Sequence, residues 1–224
     1  MSTSKATLKS SIDDRIGKAH ASAIWTPIDF VDLGSRDAID KTLQRLVHSG
    51  YLQRIDRGLY TQIHTNPLTG KPAAPDYQKV IEAVSRREQI RVLVDGMSAA
   101  NALGLTNAVP GQVIVHTDGR LRPIQVGNLT IQFKLTAPSK LYWAGHPAMQ
   151  IIQALYWLHS SLKKDDTELQ NTESKLIRVL LTPHSGKKIC HDLLNGLHTV
   201  PTWMQVWIRK LISLSRTSRR NTQR

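Results

Sequence analysis

Leu8, Ile12, Ile16 and Ala19 recur at helical spacing and predict a first helix over about 8–20. Thr26 before Pro27 reads as an N-cap followed by proline at the first helical position, opening a short helix over about 27–31. Ser35 caps a third helix over about 36–48, and Gly50 supplies its stop. The apolar stripe of that helix is Ile39, Leu43, Leu46 and Val47. Its other face reads Arg36, Asp37, Asp40, Lys41, Gln44, Arg45 and His48. Two short strands are predicted next, at about 51–55 and 59–63, joined by Asp56-Arg57-Gly58. Gly58 falls where a type I turn followed by a G1 bulge takes a left-handed residue. Strict alternation fails across this hairpin, which fits a short, bulged ribbon. Helix, short helix, glycine-containing turn, helix and hairpin is the order of a winged helix-turn-helix.

The stretch "HTNPLTGKPAAPD" (64–76) holds three prolines and a glycine and has no periodicity. It predicts a linker at 66–76 between a winged-helix domain (1–65) and a second domain (77–214). In the second domain, "DYQKVIEAVSRRE" reads as a helix, "IRVLVDG" as a strand and "SAANALGL" as a small-residue helix. Three strands follow, "QVIVHT", "LRPIQVG" and "LTIQFKLT", with hairpin signals at Asp118-Gly119 and Gly127-Asn128. Four helices are then predicted: one from near Pro147, then 166–181, 186–194 and 201–214. The expected fold class is α+β, an N-terminal winged helix-turn-helix followed by a C-terminal α+β domain with a small sheet and several helices. A basic tail, 215–224, is expected to be disordered.

Charge narrows the partner. Lys and Arg number 30 against 17 Asp and Glu, a formal net charge of +13. Such an excess favours a polyanion, nucleic acid first. The excess is spread along the chain: residues 1–75 hold 10 basic and 7 acidic groups, residues 76–145 hold 8 and 5, and residues 146–224 hold 12 and 5. The single cysteine, Cys190, excludes an internal disulfide framework. The first twenty residues lack the apolar region of a secretory signal, and no apolar run approaches the ~18 residues that span a bilayer. A cytoplasmic protein without membrane contact is expected.

Candidate chemistry follows from the third helix and the hairpin. In a winged helix the third helix enters the major groove, where Arg pairs with guanine, Gln with adenine and Lys with phosphate or guanine. The candidate DNA-binding residues are Ser35, Arg36, Lys41, Gln44, Arg45 and His48, with Arg54 and Arg57 on the wing. The free N–H groups behind Ser35 suit a phosphate. Against this, Asp37 and Asp40 lower the local charge, and a turn bearing Asp56 beside arginines is also what a plain solvated surface carries. Enzyme signals are absent. "PHSGKK" (183–188) lacks the first glycine and the Ser or Thr of a phosphate-binding loop. His184, Cys190 and His191 lack a second pair of metal ligands. Trp143, Trp157, Trp203 and Trp207 fall among apolar residues at helical spacing and read as core or interface. No cofactor, metal or catalytic residue is expected.

Two segments, "SRDAIDKTLQRLVHSGYLQRIDRGLY" and "SRREQIRVLVDGMSAANALGLTNAVPGQVIVHTDGRLRPIQVGNLTIQFK", resemble the AbiEi-type antitoxins, transcriptional regulators of bacterial type IV toxin–antitoxin systems. The likeness extends over about residues 10 to 160 and is most specific at "AANALGLTNAVP". It implies a repressor of its own operon that binds operator double-stranded DNA, as a monomer or weak dimer binding cooperatively. It also implies a nucleotidyltransferase-like toxin as partner and a second domain needed for antitoxin action. Asn107-Ala108 stands where that family's pattern has a glutamine, so no role is carried onto this loop. Two other readings fit the composition: a protein- or RNA-interaction module without specific operator binding, and a nucleic-acid-processing enzyme with its site in 78–160.

Overall fold

The computed structural model describes residues 7–20, 22–65, 70, 73–108 and 110–222. The fold is α+β, with eight α-helices and two small sheets among the described residues. It divides into two compact units, residues 1–90 with 123–131, and residues 91–122 with 132–224.

In the first unit, α1 (Leu8–Lys18) starts at Thr7, whose hydroxyl oxygen accepts from the Ser10 N–H at 3.2 Å. Ile12 and Ile16 are fully buried on its inner face. A two-residue strand, β1 (Ile24–Trp25), follows, absent from the sequence reading. Thr26 and Asp29 then form a capping box that starts a 3-10 turn, Pro27–Phe30. The Asp29 carboxylate accepts from the Thr26 N–H at 2.7 Å. The third helix, α2 (Arg36–His48), begins at Ser35, whose hydroxyl accepts from the Ala38 N–H. Strands β2 (Leu52–Asp56) and β3 (Leu59–Gln62) make the expected hairpin, with a register shift between Arg54 and Asp56 and Gly58 at φ +68°. The sheet order is β1-β3-β2, all antiparallel. Phe30, Ile39, Leu43, Leu46, Leu52 and Tyr60 complete the core begun by Ile12 and Ile16.

The expected boundary in 66–76 moves. Residues 66–69, 71 and 72 of that linker lie outside the described residues. Helix α3 (Tyr77–Glu88), assigned from sequence to the second domain, belongs to the first unit. The physical reason is one face of cations. Arg86 donates twice to the Asp29 carboxylate, at 3.0 and 3.1 Å, and to the Ile24 carbonyl. Lys79 donates to the Ser22 hydroxyl. Arg87 donates to the Arg57 carbonyl at 2.6 Å.

The second sheet has the order β4-β5-β7-β6, from β4 (Val92–Val94), β5 (Gln112–Thr117), β6 (Ile124–Val126) and β7 (Leu129–Leu135). Gly127-Asn128 joins β6 to β7 as expected, with Val126 opposite Leu129 and a positive φ at Gly127, the first loop position. Asp118-Gly119 does not make a hairpin, because β7 and not β6 lies beside β5. Gly119 keeps a negative φ, and the Asp118 carboxylate is spent on the Arg91 N–H and guanidinium, both at 2.9 Å. Those bonds hold the Asp118 carboxyl below its ordinary range.

Four of the second unit's helices are α5 (Met149–Leu162), α6 (Asp166–Leu181), α7 (Ser185–Asn195) and α8 (Thr202–Thr222). Leu141, Trp143, Ile152, Leu155, Leu176, Leu180, Leu193, Met204, Ile208 and Leu211 are buried together among them. Helix α4 (Gly96–Ala102) packs so closely on α5 that a Cβ at Gly96 would stand 2.7 Å from the Gln153 carbonyl oxygen. Trp143 is core as expected, Trp203 and Trp207 are half-buried against it, and Trp157 is exposed. Where a disordered tail was expected from 215, α8 continues to Thr222. Ser215, buried, returns its hydroxyl to the Ile212 carbonyl, so the helix still has an inward face past Leu214.

Candidate nucleic-acid interface

The amphipathic period of α2 turns Ile39, Thr42, Leu43 and Leu46 inward and leaves the opposite arc to solvent. All eight sequence-predicted residues, Ser35, Arg36, Lys41, Gln44, Arg45, His48, Arg54 and Arg57, are exposed. Lys41, Gln44, Arg45 and His48 make no side-chain hydrogen bond or ion pair with any described residue. They are available to a ligand without first breaking a protein contact.

Arg36 is engaged: its Nε donates to Asp40 one turn on, at 3.1 Å. Both partners are exposed, so the pair is worth little and exchanges readily for a phosphate. Arg36 and Asp40 lie near the hairpin, since both act electrostatically on Tyr60, which pairs across β2–β3 with Arg54. Burial pushes the Tyr60 phenol above its ordinary pKa; Arg54 and Arg36 oppose that shift and Asp40 adds to it. One end of α2 and the hairpin near its turn therefore share one field of charge.

The hairpin tip is held from behind. Arg54 donates to the Asp56 carbonyl at 3.3 Å, within its own turn. The Arg57 carbonyl is fixed by Arg87 of α3, which leaves the Arg57 side chain exposed and unpaired among the described residues. Gly58 makes the corner. Gly58→Ala is expected to cost about 1–2 kcal/mol, because the left-handed conformation penalises a Cβ. Asn, which tolerates that conformation, is expected to lose less. Urea unfolding of the two variants checks the order.

Sequence reasoning missed the arginines that build this unit. Arg15 bonds both oxygens of Asp32, at 2.7 and 2.6 Å, and the Asp29 carbonyl, which holds the Asp32 carboxyl below its usual range. With Arg86 and Arg87 it ties helices to the turn and the wing. Their partners lie 17, 57 and 30 residues away, so no local signal marks them. Among the described residues of 7–90, Arg15, Lys18, Arg36, Arg86 and Arg87 have carboxylate partners. Lys9, Lys41, Arg45, Arg54, Arg57 and Lys79 have none. Four of those six lie on α2 or the hairpin.

Among the described residues no group of three His, Cys, Asp or Glu side chains could hold a metal ion. His191 pairs with Asn195, and Cys190 is half-buried. No helix of the described residues is long and apolar enough to cross a membrane.

Residues 11–188 match a family described as "Family of unknown function (DUF6088)". A comparison with curated proteins finds no match.

Proposed function

The chain belongs to the DUF6088 family of unknown function, and we propose that it is a sequence-specific double-stranded-DNA-binding repressor of the cytoplasm. In this reading α2 enters the major groove and the β2–β3 hairpin lies as a wing on the flanking backbone. The carrying observation is the sorting of charge: four of the six described cations of residues 7–90 without carboxylate partners lie on α2 and the hairpin, while Arg15, Arg86 and Arg87 bind carboxylates and carbonyls within the unit. The element order supports it, since a capped helix follows a short turn and precedes a bulged hairpin. Gln44, exposed in mid-helix, is suited to an adenine edge; Lys41, Arg45, Arg54 and Arg57 are suited to phosphates or guanine. The autoregulatory antitoxin role, with a nucleotidyltransferase-like toxin as partner, extends this proposal and is carried by the resemblance of residues 10 to 160.

The test is a salt-titrated binding assay of the full chain on the DNA upstream of its own reading frame. Lys41→Ala with Arg45→Ala is expected to lower affinity at least tenfold. It is expected to reduce the slope of log K against log salt by about 1.8, at ~0.9 per phosphate contact. Gln44→Ala is expected to leave the slope and relax base preference by about 1–3 kcal/mol at one position. Unchanged affinity and slope in the double variant would remove α2 from the interface. Antitoxin action is tested separately, by whether co-expression relieves growth arrest by the toxin encoded beside it.

A further inference from the structure

The second unit carries a separate basic feature that the α2 reading does not use. On α8, Arg209 and Arg216 are seven residues apart, two helical turns, and so share an edge of the helix. With Leu194 of α7 and Ile212, Ser213 and Thr217 of α8 they line one cleft. Its floor is apolar and its rim carries two guanidinium groups and two hydroxyls.

The charge around this cleft is one-sided. Lys210, the neighbour of Arg209, faces the other way and is neutralised by Glu173 of α6 at 2.5 Å. Glu173 also accepts from the Trp207 indole N–H. The carboxylate of α7, Asp192, is occupied by the His146 ring at 2.7 Å and the Ala148 N–H at 2.9 Å. Neither acid is left to pair with the cleft. Arg209 and Arg216 are exposed and have no carboxylate partner among the described residues, and the sequence holds no acidic residue after Asp192. Two arginines with no carboxylate partner among the described residues, set beside the Ser213 hydroxyl, match the chemistry of a phosphodiester: bidentate guanidinium bonds to the anionic oxygens and a neutral donor to a remaining oxygen, while the Thr217 hydroxyl donates within the helix to the Ser213 carbonyl at 3.2 Å. Seven residues of helix rise by about 10 Å. A duplex presents a phosphate about every 3.4 Å of axis on each strand, so both arginines reach phosphates of one short segment.

We propose that this cleft binds the phosphate backbone of nucleic acid without regard to sequence, as a second contact distinct from α2 and the hairpin. Its role is to add affinity and not specificity.

Fluorescence anisotropy on a labelled 30-base-pair duplex of random sequence, titrated with KCl, tests this with the full chain. Arg209→Gln with Arg216→Gln is expected to weaken binding about tenfold at low salt and to lower the salt slope by about 1.8. Arg→Lys at both positions is expected to recover most of the slope, since charge is kept. Both side chains are exposed, and circular dichroism and melting temperature are expected to match the unsubstituted chain. Unchanged affinity and slope in the Gln variant overturns the proposal. So does absence of any duplex binding by the unsubstituted chain, or binding confined to anionic phospholipid vesicles in a parallel titration. The outcome is separable from the α2 reading: loss in the Arg209/Arg216 variant with none in the Lys41/Arg45 variant sinks the winged-helix proposal and leaves this one standing.

Discussion

Phe30→Ala is expected to remove about 3–5 kcal/mol of stability, the usual cost of emptying a buried aromatic site. Phe30 closes the 3-10 turn and has no exposed surface. Its ring lies 5.2 Å from that of Trp25, tilted by 32°, and the Arg15 guanidinium stands 5.9 Å from its centroid. Ile12 and Ile16 of α1 and Ile39 and Leu43 of α2 share its core. The site cannot collapse easily, because Arg15 and Arg86 both hold the turn at Asp29. A natural domain has about 5–15 kcal/mol in total. The loss therefore removes between about a fifth and nearly all of such a total. Urea titration is expected to show a lower midpoint with an unchanged slope. DNA affinity is expected to fall on warming well before that of the unsubstituted chain, because α2 rests on the same core. A loss below about 1 kcal/mol would mean that Phe30 does not fill the space between α1 and α2.

What was legible in the sequence was mostly local. Thr26-Pro27 and Ser35 are capping signals, and each starts an element where expected. Gly50 and Gly58 stand at positive φ, where the stop and the corner were read. The exposed face of α2 followed from its period alone, which is why Arg36, Lys41, Gln44, Arg45 and His48 reach solvent. The pairing of Arg36 with Asp40 is a one-turn spacing of the same kind. What was not legible depends on distance along the chain. Strand β1 has two residues, too few for alternation, and exists because Ile24 and Trp25 meet Thr61 and Tyr60. Helix α3 joins the first unit through Arg86 and Arg87, whose partners are remote. Asp118-Gly119 carries the composition of a hairpin, but Arg91 captures its aspartate and another strand takes the neighbouring edge. Turn composition states a preference of four residues, and a long-range ion pair with a third strand outweighs it.

Gly196→Ala is expected to destabilise the second unit at or above the top of the ~1–3 kcal/mol range for overpacking. The backbone is not the reason: Gly196 has φ −88°, which any residue adopts. Space is the reason. A Cβ there would stand 2.1 Å from Cη2, 2.5 Å from Cζ2 and 3.0 Å from Cζ3 of Trp143. The indole cannot bend, and it is only 5% exposed. Its ring is also in edge contact with Tyr142 at 5.2 Å and His146 at 5.6 Å. Relief therefore requires the whole ring to tilt out of the core or the end of α7 to withdraw. Either movement disturbs Leu193, Leu197 and Val200, which pack in the same cluster. A double-mutant cycle isolates the cause. Trp143→Phe alone is expected to cost stability through lost volume. With Gly196→Ala it is expected to cost less than the sum of the two, because the smaller ring vacates the space the methyl needs. Urea unfolding of the four proteins measures the coupling, and strict additivity would show that the ring and the glycine do not meet.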